Sequence, residues 1–249
     1  MRFLLTNDDG IRATGLAALE RALTKLGTID VVAPDRERSG AGHSLTLHQP
    51  LRVAQIDATH HAVSGTPTDA VLLAMETLLA ERPDWVISGI NHGPNMGEDV
   101  TYSGTVSAAI EATILGVPAI AVSVAGRDTF HFDALEPTVA RLVEQLMKFP
   151  MGKNQLLNVN IPNRPPDEIR GTRVTRLGSR EYIDAVVEQK DPRGRSYYWI
   201  GGGGPEWAPD TQSDAFAVQE GFISVTPLHI DLTDYRALVE LEAFVERWQ

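Results

Sequence analysis

Apolar residues recur along this chain in two rhythms, and their alternation predicts the architecture. Short runs rich in Leu, Val and Ile near 2–7, 29–34, 84–90, 118–124 and 156–161 are too brief for helices and read as buried strands. Between them apolar positions return at helical spacing near 15–26 (Leu16, Leu19, Leu23, Leu26), 68–80, 105–115 and 133–148. Such alternation argues an α/β fold, a doubly wound, mostly parallel sheet of Rossmann-like type. Leu45-Thr46-Leu47, Leu51 to Ile56 and His61 to Ser64 read as short antiparallel strands inserted before the second helix, walling one side of a cleft.

Beyond Pro162 the pattern changes, so the chain divides into an α/β core over 1–162 and a β-rich extension over 163–249 of a single domain. Arg173 to Leu177 reads as β structure. Tyr182 to Val187 and Tyr197 to Ile200, joined through Asp191-Pro192-Arg193-Gly194, read as a hairpin. Gly201 to Pro205 reads as a flexible loop, since it neither carries a strand into a helix nor ends in Lys-Ser/Thr. The segment 233–248 places Leu238, Leu241 and Val245 at helical spacing and predicts a docked helix.

Polar residues gather where the apolar runs stop. The first run breaks into Asn7-Asp8-Asp9-Gly10, and in open α/β sheets ligands bind beyond the carboxyl ends of the strands. Two adjacent carboxylates repel unless something cationic lies close, and a divalent metal is the simplest candidate; a helix-entry turn ending at Gly10 is the alternative. The second run opens into Asp35 to His43, with two Arg and two Gly. The third opens into Asn91-His92-Gly93-Pro94-Asn95. Ser103-Gly104-Thr105 then precedes a strong helix former, where hydroxyls and unpaired N–H groups cradle phosphate or merely cap the helix.

Composition narrows the choice. The 249 residues, 43% hydrophobic, support a large core, and the absence of cysteine excludes disulfides and thiolate metal sites. With Lys+Arg 22 against Asp+Glu 33 the global field repels polyanions, so long nucleic acid is not an expected partner. No apolar stretch reaches membrane-spanning length, and Met1-Arg2 lead straight into a strand; a cytoplasmic protein without membrane contact is the expectation.

Asn7-Asp8-Asp9-Gly10, the Ala33-Pro34-Asp35 to Ser39-Gly40 loop, Gly65-Thr66-Pro67-Thr68-Asp69, Ser88-Gly89-Ile90-Asn91 to Asn95 and Tyr102 to Val106 occur in an order that resembles the SurE family of metal-dependent 5′/3′-nucleotidases. Gly221 to Leu228 resembles that family's late strand, so the likeness spans nearly the whole chain. It implies hydrolysis of nucleoside 5′- and 3′-monophosphates to nucleoside and phosphate, with short-chain polyphosphate as a further candidate substrate. It implies one divalent cation per subunit, Mg²⁺ or Mn²⁺, with Ca²⁺ as an occupant in crystals. The implied ligands are Asp8, Asp9, Ser39 and Asn91, with Asp8 and Asp9 the catalytic pair. The implied phosphate contacts are Asn95, Ser103, Gly104 and Thr105. The implied assembly is a homodimer or homotetramer joined through the C-terminal extension.

These residue types agree chemically, because every ligand is a hard oxygen donor, which suits Mg²⁺, Mn²⁺ or Ca²⁺ better than zinc. Attack by a cation-activated water is favoured over attack by Asp8 or Asp9. His43 and His92 lie in the right loops, although a lone loop His reads first as exposed. Gly65 to Asp69 reads first as a helix start, with Thr66 as cap and Pro67 in the first turn. The four tryptophans read as packing residues.

Two positions depart from the family pattern. Thr14 stands where a proline commonly precedes Gly15 and reads as a helix cap; Thr211-Gln212-Ser213-Asp214 replaces a tighter Thr-Asp. Two other readings compete. A catalytically silent nucleotide-binding regulator on the same fold predicts binding without phosphate release. A dinucleotide-dependent oxidoreductase needs a Gly-x-Gly-x-x-Gly first turn, where this chain has Asn7-Asp8-Asp9-Gly10-Ile11-Arg12.

Overall fold

The computed structural model describes residues 1–127, 129–181, 186–200 and 206–248. Strand β1 (Arg2–Thr6) leads through helix α1 (Thr14–Leu23) to β2 (Thr28–Pro34), β3 (Val53–Gln55) and β4 (His60–Val63). Then follow α2 (Pro67–Leu73), β5 (Trp85–His92), α3 (Gly104–Ile114), β6 (Ala119–Ala125), α4 (Phe132–Leu146) and β7 (Gln155–Pro162). The extension holds β8 (Thr172–Val174), β9 (Arg180–Glu181), β10 (Val186–Lys190), β11 (Ser196–Ile200), β12 (Glu206–Trp207), α5 (Asp214–Gln219), β13 (Ile223–His229) and α6 (Tyr235–Val245).

The main sheet has nine strands in the order β3-β4-β2-β1-β5-β6-β7-β13-β8. β4, β2, β1, β5, β6 and β7 are mutually parallel, while β3 runs antiparallel to β4, β13 runs antiparallel to β7, and β8 lies parallel to β13. The chain winds from β1 out to β2 and β4, then crosses over to β5 and on to β6 and β7. The order therefore reverses between β1 and β5, and a crevice opens there beyond the strands' carboxyl ends.

β1 shows why its apolar run is continuous. Phe3 and Leu5 pack with α1 and α4 on one face, and Leu4 packs with α2 and α3 on the other, so all three are buried. α4 lies on the α1 face although β6 to β7 steps in the same direction as β5 to β6, which α3 bridges on the opposite face. The α4 crossover thus has the opposite hand to the α3 crossover, against the strong general preference for one hand. It carries the loop before α4 over the β1 and β5 ends.

α2 begins with a capping box: Asp69 N–H donates to Thr66 Oγ1 at 3.1 Å, and Thr66 N–H donates to Asp69 Oδ2 at 2.8 Å. Asp69 also accepts from the Thr46 N–H and hydroxyl, so the structural reading of Gly65 to Asp69 holds.

Several expectations need correction. Leu45-Thr46-Leu47 forms no strand, because Thr46 is spent on Asp69. β4 joins the main sheet parallel to β2, so only the β3–β4 pair is antiparallel. The hairpin pairs β10 with β11, and Asp191 fastens its turn by accepting from Arg193 N–H and Arg195 N–H; Tyr182 to Ala185 and Gly201 to Pro205 lie outside the described residues. α6 forms but buries no residue, so it does not dock on its own chain. Trp85 is buried, whereas Trp199 and Trp248 are exposed.

Candidate active site

The carboxyl ends of β1 and β5 bring the acidic pair together with the third loop. Asn7 closes the turn after β1, its amide donating to Gly10 O at 3.1 Å and accepting from Gly10 N–H at 3.2 Å. That turn aims Asp8 at the start of α3. A Cβ on Gly104 would come within 2.7 Å of Asp8 Cβ, so only glycine lets the helix approach so closely. Thr105 donates its hydroxyl to Asp8 Oδ1. Burial pushes the Asp8 carboxyl above its ordinary value; the Thr105 hydroxyl and N–H oppose that shift, and the Asp9 charge adds to it.

Asp9 faces the end of β5, accepting from His92 N–H at 3.3 Å. The His92 ring Nδ1 stands 2.9 Å from the same oxygen but off the line of a hydrogen bond. Thr14 is the first residue of α1 and not its cap; its hydroxyl lies 3.1 Å from His92 Nε2. The rings of Phe130 and Phe132 meet His92 edge-on. His92 is therefore built into the site and is not a free loop residue.

The remaining donors are placed unequally. β5 shifts register between Ser88 and Asn91, and Asn91 donates its amide to Gly93 O at 2.9 Å, which leaves its carbonyl oxygen for another partner. Ser39 is exposed and donates its hydroxyl to Glu37 at 2.9 Å. Its loop starts under Asp8, where Arg38 N–H donates to the Asp8 carbonyl at 2.7 Å. Ser103 caps α3 by accepting from Val106 N–H at 3.0 Å.

Asn95 is held from four sides. Its N–H donates to Asn160, its carbonyl accepts from Asn158 and Asn160, and its amide donates to Ser123 at 2.8 Å. Asn158 and Asn160 went unnoticed in sequence, although two asparagines two positions apart inside an apolar strand are a signal. Thr6 and Ser88 add buried hydroxyls beneath the acidic pair, neither with a hydrogen-bond partner among the described residues.

This charge distribution fits a cation. Arg38 turns to the Ser64 carbonyl and Arg36 to Asp35, and no Lys or Arg pairs with Asp8 or Asp9 among the described residues. Nor does any trio of His, Cys, Asp or Glu gather for metal binding among them, so a cation here needs neutral oxygens such as those of Ser39 and Asn91. Two cavities flank the site: one of about 580 Å³ beside Thr14, Phe130 and His131, and one of about 720 Å³ beside Pro94, Met96, Arg127 and Trp207.

Fold and site together define a doubly wound α/β protein with an acidic, oxygen-lined ligand site at its switch point. The sequence profile of the family described as Survival protein SurE matches residues 3–184. The chain is 54% identical over its full length to the 5′-nucleotidase SurE of Gemmatimonas aurantiaca, covering 99% of that protein. It is 51% identical to the 5′-nucleotidase SurE of Geobacter sulfurreducens, across 98% of this chain and 94% of that one. The crystal structure of SurE from Aquifex aeolicus superposes with a TM-score of 0.89 at 45% identity, covering 98% of this chain and 99% of that one. The chain belongs to the SurE family. Among the described residues no helix is long and apolar enough to cross a membrane.

Proposed function

We propose that this chain is a metal-dependent nucleotidase that hydrolyses nucleoside 5′- and 3′-monophosphates to nucleoside and phosphate, in the cytoplasm, as a homodimer or homotetramer. The observation that carries the reading is the seating of the α3 N-terminus on Asp8, which sets a helix end suited to an anion beside two carboxylates that no Lys or Arg pairs with among the described residues. The full-length relatives named 5′-nucleotidase support the reaction class and argue against a silent binding protein.

Asp8, Asp9, Ser39 and Asn91 are the residues that would hold one divalent cation, Mg²⁺ or Mn²⁺. Such a cation would supply Lewis acidity and make a bound water more acidic than bulk water. Asp8 and Asp9 supply the negative charge that retains it. The Ser103 hydroxyl, used as an acceptor by Val106, still has its proton to donate to a phosphate oxygen. Gly104 opens the approach to its own N–H. Thr105 spends its hydroxyl proton on Asp8, so it acts by fixing that carboxylate. Asn95, with one amide hydrogen on Ser123, keeps the other for phosphate.

The test is phosphate release from a panel of nucleotides and short-chain polyphosphate with Mg²⁺, Mn²⁺ or chelator. Asp8→Asn and Asp9→Asn should each abolish turnover while circular dichroism stays that of the wild type. Full activity in either variant, or after exhaustive chelation, would refute the metal mechanism.

A further inference from the structure

Three of the four proposed cation donors, Asp8, Asp9 and Asn91, sit at or next to strand ends, whereas Ser39 stands exposed on a loop. That loop is a short bridge between two anchors. Its near anchor is the bond from Arg38 N–H to the Asp8 carbonyl. Its far anchor lies on α3 and the turn before it. Gly42 N–H donates to the Tyr102 carbonyl at 3.1 Å, and His43 Nε2 lies 2.8 Å from Glu111 Oε2. Between the anchors, Gly40 has a φ of +74°, and a Cβ there would touch nothing, so its surroundings place no packing restraint on the bridge.

Glu111 falls two helical turns beyond Gly104, on the face of α3 that rests against Asp8. It is 7% exposed, and His43 is the one hydrogen-bond partner of its carboxylate among the described residues. One helix face thus sets the position of both Asp8 and the loop carrying Ser39. A buried carboxylate on a helix that is otherwise largely alanine and small residues has no packing advantage, and its single bond reaches the loop.

We propose that His43 is a positioning residue, whose bond to Glu111 holds the Ser39 bridge in register with Asp8, Asp9 and Asn91 for the divalent cation. The inference rests on the proposed cation site and adds a residue outside the ligand set. His43 touches neither substrate nor cation; it acts through the four-residue step back to Ser39.

The test is direct Mn²⁺ binding to the purified full-length protein, followed by electron paramagnetic resonance of the free ion, with thermal unfolding as a control for folding. His43→Ala should weaken Mn²⁺ binding by about tenfold, the order expected for one charge-assisted hydrogen bond. His43→Gln, whose amide nitrogen falls near the position of Nε2, should recover most of that loss. Glu111→Gln should behave like His43→Ala, and the double variant should be no worse than either single one, because the pair acts as a unit. Wild-type affinity in both single variants overturns the latch, as do additive losses in the double variant. Equal losses in His43→Ala and His43→Gln also overturn it. A wild-type protein that binds no Mn²⁺ instead overturns the cation site itself, a result distinct from the others.

Discussion

At the scale of single residues, this fold's chemistry depends on how closely backbone and carboxylate approach. Gly104 has an ordinary helical conformation, so the need for glycine comes from Asp8, whose side chain occupies the space a Cβ would need. Gly104→Ala should push α3 off the acidic pair and cut phosphatase activity by about a hundredfold, the cost of roughly an ångström of misplacement. Unfolding by urea should show a loss of only about 1–3 kcal/mol, typical of overpacking. His60 offers a pH test away from the site. Burial alone would lower its ring pKa, but hydrogen bonds to Asp57 at 2.9 Å and to Glu20 at 3.3 Å, with their charges, hold it above the ordinary 6.5. A raised folded-state pKa means that its contribution is fully present below about 6.5 and is lost as pH rises through the folded value. His60→Gln should therefore narrow the stability difference between pH 6 and pH 8, and the His60 ring should titrate above 6.5 by NMR. A wild-type midpoint below 6.5 would reverse the sign.

At the scale of elements, the β13–β7 pairing joins the extension to the core, and one buried carboxylate adds a second fastening. Asp214, fully buried at the start of α5, accepts from Gly97 N–H and Gly178 N–H at 2.9 Å and from Ala215 N–H at 2.8 Å. It joins the turn after Asn95 to the segment that enters β9. Asp214→Ala strands three donors and should cost about 3 kcal/mol or more. Asp214→Asn, which keeps one carbonyl acceptor, should fall between it and wild type in urea unfolding. An unchanged midpoint for Asp214→Ala would show that this second fastening contributes nothing. Nothing in the sequence announced this role, since Thr211 to Asp214 read only as a departure from a motif.

The core elements were legible for the opposite reason: β1, β2, β5, β6 and β7 are buried on both faces over most of their length and so carry runs dominated by apolar residues. Asp8, Asp9 and Asn91 were legible as polar breaks at the ends of such runs. What was hidden depends on distant partners, as with Asn158 and Asn160 beneath Asn95, Glu111 under His43, and the side of the sheet on which α4 lies.

At the scale of the whole molecule, the extension leaves apolar surface that this chain does not cover. β10 and β11 expose both faces of their ribbon. Val187, Trp199 and Tyr197 lie along one face, and Val186, Ile200 and Tyr198 along the other, with Ile200 92% exposed. α6 presents Leu238, Leu241 and Val245 at helical spacing, with Leu241 and Phe244 about half exposed. An isolated two-stranded ribbon is marginal in water, and so is an eleven-residue helix without packing. Burying such side chains contributes about 1.5–3 kcal/mol each, so a partner surface that covers several of them favours association strongly. A second copy of the chain is the expected partner, because ribbon and helix belong to the extension through which the family resemblance implies assembly. Static light scattering at micromolar concentration should report a dimer or tetramer. Removing residues 186–200 together with the segment from 233 onward should shift the species to a monomer. A wild-type monomer, or an unchanged oligomer after both deletions, would show that these surfaces are covered by something other than a second copy.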